Sequence, residues 1–238
     1  MARTNVKPNY KTIVGMFEKL TGSRSMWTTF QDCIEMIALS IQNQAELFPD
    51  RYDKHKRRYV DIAKQYSKKE MGIVVEIFAE LIRMLEEKPY QDLLGDLYMQ
   101  LNMGSSALGQ FFTPYSISKM MAECSFDAEL LHNEIENKGY IKINEPCIGG
   151  GANIIGFLDV LNSNGINYQQ KCIIVGQDLS RISALMAYVV LSLLGCQAVI
   201  KIADTLTDPF TSFFEEVHKK DIWYTPMFVL NGGCFKDI

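Results

Sequence analysis

The 238-residue chain is 47% hydrophobic and 22% charged, a balance that suits a globular protein and excludes an extended disordered one. No uninterrupted apolar run approaches the ~18 residues needed to cross a bilayer, and the polar start Met1-Ala2-Arg3-Thr4-Asn5 has no signal-peptide core, so a cytoplasmic protein with no membrane partner is expected. The net charge of −4 is uneven: residues 1–90 carry +3 and the remainder −7, which directs any nucleic-acid contact toward the first part.

Residues 10–103 read as helix. The segment 27–48 repeats Phe30, Ile34, Ile37 and Ile41 at helical spacing and ends at Pro49. Further helices are predicted over 53–66, over 68–87 with Ile73, Ile77, Leu81 and Leu85 along one face, and over 91–102 with Leu94, Leu97, Tyr98 and Leu101. No strand-like alternation interrupts them, which predicts an N-terminal helical domain over 1–105. The stretch 104–114 breaks the pattern, and a helix follows over 114–124 with proline in its first turn. Strand and helix then alternate: strands over 140–144, 171–177 and 198–202, helices over 152–162 and 180–194, and one or two further strands in the tail 221–230. Such alternation predicts a parallel sheet covered by helices, a Rossmann-like α/β domain over 106–238.

Cys33, Cys124, Cys147, Cys172, Cys196 and Cys234 are scattered, and His55, His132 and His218 share no ligand spacing. Neither a disulfide framework nor a metal site is expected, and the thiols read as reduced and mostly buried. Lys54, Lys56, Arg57 and Arg58 crowd one helical stretch; a solvated face explains them, and a phosphate-contacting patch is the alternative. Met120, Met121 and Met186 read as core.

The segment Glu145-Pro146-Cys147-Ile148-Gly149-Gly150-Gly151 stands after the first predicted strand and before a helix, where a nucleotide site belongs. Glycines let the backbone approach a ligand closely, and the following helix aims its positive end there. The spacing departs from G-x-G-x-x-G, and Glu145 closes the strand. A carboxylate there repels a pyrophosphate but suits the cationic amino-acid end of S-adenosylmethionine, which disfavours a nicotinamide dinucleotide. Asp178, with Leu179 beside it, ends the second strand and can accept both ribose hydroxyls. Asp204, followed by Thr205, ends the third and can receive the adenine amino group. Loop glycines and solvated acids remain the plainer alternative.

These residues resemble the gamma-type N6-adenine DNA methyltransferases, the group that includes the modification subunits of type I restriction systems. Gly109-Gln110-Phe111-Phe112-Thr113-Pro114 is similar to the motif preceding that family's core, so the resemblance implies that Phe112, Thr113 and Pro114 pack around the cofactor; ordinary packing of Phe111 and Phe112 is the alternative. Glu145 to Gly151 resembles its glycine motif, Gly176-Gln177-Asp178 its ribose-binding strand, and Asp204-Thr205-Leu206 its adenine-contacting acid. The implied function is adenine-N6 methylation of DNA, of restriction-modification type, without a metal, with a further copy or a specificity or other partner subunit as company. The family's Asn/Asp-Pro-Pro-aromatic tetrapeptide does not occur in the sequence. Asp208-Pro209-Phe210 lies too close to Asp204 and lacks the second proline. Trp223-Tyr224-Thr225-Pro226 falls where the fourth strand should end, with Asn231 near it, so Tyr224, Pro226 and Asn231 are the candidates for a substitute catalytic pocket; Trp223 and Tyr224 also fit as core aromatics. A catalytically inactive S-adenosylmethionine-binding regulatory or partner subunit is the alternative function.

Overall fold

The first helices begin where local chemistry starts them. Helix α1 spans Lys11–Thr21, α2 Met26–Ala45, α3 Pro49–Ala63, α4 Lys68–Glu87 and α5 Leu93–Gln100. Ser25 Oγ accepts from Thr28 N–H at 3.0 Å to cap α2, Pro49 opens α3, and Ser67 and Glu70 form a reciprocal capping box on α4. The structure, a computed structural model, describes residues 7–22, 24–101, 103, 112–219 and 221–232. Gly109, Gln110, Phe111, Cys234 and the expected boundary at 105 lie outside these residues.

After them come α6 (Tyr115–Ser125), α7 (Ala128–Lys138), β1 (Ile141–Glu145), α8 (Ala152–Ser163), α9 (Tyr168–Lys171), β2 (Cys172–Asp178), α10 (Arg181–Leu193), β3 (Gln197–Ile202), α11 (Phe213–Glu216), β4 (Ile222–Tyr224) and α12 (Pro226–Leu230). Helix α7 has no counterpart in the sequence reading. It buries none of its residues fully; Leu131 and Ile135 rest half-buried against the core. The sheet order is β1-β2-β3-β4, with β1, β2 and β3 parallel and β4 antiparallel to β3. Strands β1 to β3 form the expected parallel sheet, and the tail strand, whose direction the sequence left open, runs against them. A parallel neighbour needs a crossover that returns the chain to the other end of the sheet. Here the chain leaves β3, makes the single turn of α11 and re-enters alongside it.

Strand β4 is fastened to the helical segment. The Arg51 guanidinium donates to the carbonyls of Val217 at 2.6 Å, Lys219 at 2.8 Å and Ile222 at 2.6 Å. Tyr224 Oη donates to Glu46 and accepts from Leu47 N–H. One buried cluster runs from Tyr10, just before α1, and Phe17 in α1 through Phe30 and Ile34 to Tyr188 in α10 and Trp223 in β4, so helices α1 to α5 share their core with the sheet. A smaller cluster, with Ile173, Val199, Phe213, Tyr224 and Phe228, is separate from it. Among the described cysteines, Cys33, Cys172 and Cys196 are buried, but Cys124 and Cys147 are exposed. Met186 is core, whereas Met120 and Met121 are exposed on α6. Among the described residues no helix is long and apolar enough to cross a membrane.

Helices α6 and α8 cross closely at Gly156, where a Cβ would stand 2.9 Å from Lys119 N and Ser118 C. In an open helix, alanine for glycine gains about 1 kcal/mol, while overpacking against unyielding backbone costs about 1–3 kcal/mol. We therefore expect Gly156→Ala to lower the thermal midpoint by roughly 2–8 °C, read by circular dichroism; a raised midpoint would show that helix propensity prevails.

Candidate functional site

The glycine turn is seated by a missing side chain on β2. A Cβ on Gly176 would lie 2.3 Å from Ile148 Cδ1, so glycine there makes room for Ile148, whose N–H donates to Gln177 O at 2.8 Å. The turn then passes through Gly149 at φ +54° and Gly151 at φ +93°, a region glycine enters without a Cβ clash. Gly149 N–H donates to Asp178 Oδ2 at 2.9 Å, and Asp178 Oδ1 accepts from Ser180 N–H at 2.8 Å. A single carboxylate thus pins the turn to the loop after β2. No side chain caps α8, whose positive end points back at the turn.

The three strand-terminal acids hold the same rim together. Glu145 accepts from Cys147 N–H at 3.2 Å and from Asn153 Nδ2 at 3.3 Å, and Asn153 Oδ1 accepts from Ser118 Oγ of α6 at 2.8 Å. Asp204 accepts from Leu206 N–H at 2.9 Å, while the Thr205 hydroxyl donates to Pro146 O. Gln177 Nε2 donates to Asp208 O at 2.8 Å and its Oε1 accepts from Phe210 N–H at 3.0 Å, fixing the loop after β3. Leu179 and Leu206 are exposed at this rim.

A roof lies over the turn. A Cβ on Gly149 would stand 3.5 Å from Phe112 Cδ1, and one on Gly150 3.5 Å from Asp92 Oδ1. Phe112 meets Tyr98 edge-on at 5.4 Å. Beside it, a cavity of about 430 Å³ is lined by Asp92, Asp96, Phe112, Pro114 and Tyr115 together with Lys7. Pro114 is the N-cap of α6, and Thr113 is exposed next to it. Lys7 Nζ lies 2.7 Å from Asp96, so one ammonium faces two carboxylates. Asp92 caps α5 through Gly95 N–H at 3.1 Å, and burial pushes its carboxyl up to about 6 against that bond.

The structure therefore brings Phe112, Pro114, Glu145, Pro146, Gly149, Gly151, Asp178, Leu179, Asp204 and Thr205 to one rim, at the carboxyl ends of β1 to β3. It does not bring Tyr224, Pro226 and Asn231 there. Tyr224 pairs with Val199 in the middle of β3, is fully buried, and leads into Thr225, which donates to Cys196 O at the amino end of that strand. Pro226 opens α12, and Asn231 Nδ2 donates to Gln169 O ahead of β2. The physical reason is the reversed direction of β4, which carries its end away from the rim. Its place beside β3 also puts it three strand spacings, about 14 Å, from β1. Sequence reasoning missed Asp92, Asn153 and Ser118. An acid three residues before Gly95 signals a helix cap, but only tertiary packing brings Asp92 onto Gly150.

A Rossmann-like sheet with a glycine turn after its first strand and acids on three successive strands defines a nucleoside-type binding site. Residues 90–225, more than half of the chain, match the N-6 DNA Methylase family, and the chain belongs to that family. Among solved structures it is similar to the type I restriction-modification system methyltransferase subunit of Streptococcus thermophilus, at 20% identity and a TM-score of 0.42, over 88% of this chain and 42% of that one. It is also similar to a protein assigned to the class I S-adenosylmethionine-dependent methyltransferases of Listeria monocytogenes, at 13% identity and a TM-score of 0.45, over 96% of this chain and 69% of that one. The chain spans less than half the length of the first of these. No curated protein matches it.

The family's methyl donor is S-adenosylmethionine, and the residues present fit it. Two left-handed glycines leave the turn without side chains, each of the strands β1 to β3 ends on or just before an acid, and the cavity beside Phe112 holds more carboxylates than ammonium groups, as a sulfonium and an ammonium require. Gly149→Ala places a Cβ at φ +54° against Phe112, at a cost of about 1–2 kcal/mol; titration calorimetry is expected to show roughly a tenfold loss of S-adenosylmethionine affinity, and unchanged affinity would remove the turn from the site. For Asp92, a carboxyl raised from 3.8 to about 6 favours folding below the lower value and loses that contribution as pH rises through the higher one. A bound cation favours the ionised form, so affinity should rise between pH 5 and pH 7 and flatten in Asp92→Asn; a flat wild-type profile would exclude this role.

Proposed function

We propose that this chain is the donor-binding part of an adenine-N6 DNA methyltransferase of restriction-modification type, working in the cytoplasm. One observation carries the reading: the turn Glu145 to Gly151 is locked to Asp178 under the Phe112 ring. Glu145 and the Asp92 cavity receive the amino-acid end of S-adenosylmethionine, Asp178 the ribose and Asp204 the adenine, with Leu179 and Thr205 beside them and Phe112, Thr113 and Pro114 over the turn. Bound there, the cofactor supplies a methyl group on a sulfonium. The chain's own residues bind it, orient it and shield it from water.

A second reading is favoured by the topology. Among the described residues β1 pairs only with β2, and Tyr224, Pro226 and Asn231 lie away from the rim. The surface that takes the target base then comes from polypeptide added at the β1 edge, in a specificity or other partner subunit or a further copy, and the chain alone binds the donor without turnover. The discriminating experiment combines calorimetry with labelled-methyl transfer to adenine-containing duplex DNA. We expect one S-adenosylmethionine per chain and label in DNA. Binding without transfer selects the second reading; absence of binding overturns both.

A further inference from the structure

On the other side of α10 from the glycine turn lies a second cavity, of about 450 Å³, whose wall is basic. Helix α3 presents Arg51, Lys54, His55 and Arg58 to it, at the i, i+3, i+4, i+7 spacing of one helical face. Arg181, the first residue of α10, and Trp223 of β4 complete the wall. Two carboxylates, Glu35 and Asp221, also line it, so four fixed cations face two anions.

Those cations are not equivalent. Arg51 is committed to Glu46 and to three carbonyls of the segment leading into β4. Glu35 holds two guanidiniums at once: Arg58 through bonds of 3.1 and 2.7 Å and Arg181 through one of 2.9 Å. A guanidinium has five N–H donors, so Arg58 keeps three and Arg181 four beyond this bridge, oriented by it and half-exposed. Lys54 is exposed and makes no ion pair among the described residues. On the wall itself, Trp223 is 1% exposed, and His55 Nδ1 stands 3.5 Å from Glu46 Oε2. The two rings stack at 5.4 Å.

We infer that this cleft binds a phosphodiester of a nucleic-acid strand, clamped between the Arg58–Glu35–Arg181 bridge and Lys54. The chemistry is that of a phosphate: planar guanidinium donors held by a carboxylate, with an exposed ammonium beside them. Its place suits the backbone of a substrate strand. Arg181 follows Asp178 by three residues, at most about 11 Å of chain, so one wall of the cleft stands within that reach of the glycine-turn rim. The inference rests on the reading of the chain as a DNA methyltransferase part, and it deepens that reading by assigning where the strand is held.

The test compares Lys54→Ala/Arg58→Ala with Lys68→Ala/Lys69→Ala, a control of equal charge change on the first turn of α4. Binding of a labelled adenine-containing duplex is measured by anisotropy from 50 to 200 mM salt, and S-adenosylmethionine binding by calorimetry on the same samples. The cleft variant should lose roughly tenfold in DNA affinity and reduce the salt slope by about 1–2, with cofactor binding retained and the control unchanged. In Trp27→Phe protein, where Trp223 is the remaining tryptophan, the oligonucleotide should change the fluorescence. Equal losses in both variants, or a response to inorganic phosphate without one to the oligonucleotide, would overturn the cleft assignment alone. Wild-type protein that binds cofactor but no DNA would overturn the DNA reading along with it.

Discussion

The seat of the glycine turn is the constraint from which the site follows. Gly176 lacks a side chain, Ile148 fills that space, and the turn is held low enough for Gly149 to reach the Asp178 carboxylate. Every other rim contact presupposes this position. Thr205 can reach Pro146 and Asn153 can reach Glu145 because the turn lies where Ile148 puts it. A larger residue at 176 would lift the floor and uncouple three loops together.

The second organising feature is the fastening of β4. The Arg51 fork and the Glu46–Tyr224 pair tie the helical segment to the last strand, and the shared core runs through both. Such buried charged groups tolerate no loss of a partner, since the remaining charge or carbonyl stays without water. This fastening also sets the limits of the sheet: β4 occupies the β3 edge, and the opposite edge stays at β1.

Much of this was legible in the sequence for physical reasons. Amphipathic periodicity marked α2 and α4, the latter at both boundaries, because their apolar faces carry the core. Strand–glycine–helix order marked the turn over 145–151, because its backbone passes through left-handed glycines. The direction of β4 was not legible: three residues, Ile222 to Tyr224, carry no signal of polarity, and their partners Gln42, Glu46 and Arg51 stand more than 170 residues away. The α3 charge cluster was ambiguous for a related reason. Lys54 and Arg58 turn to a cleft whose other wall, Arg181 and Trp223, is remote in sequence. Helix α7 escaped notice because it buries no residue fully.

Between Asp178 and Arg181 the chain changes electrostatic sign within four residues. Asp178 binds its own loop through Ser180 N–H, and Arg181 leaves that loop for Glu35. A ligand drawing on the carboxylate and another drawing on the guanidinium therefore act on one short piece of backbone. Thermodynamic reciprocity then applies: whatever factor one ligand imposes on the affinity of the other is returned unchanged. The four residues 178–181 are thus the shortest covalent link between the glycine turn and the basic cleft.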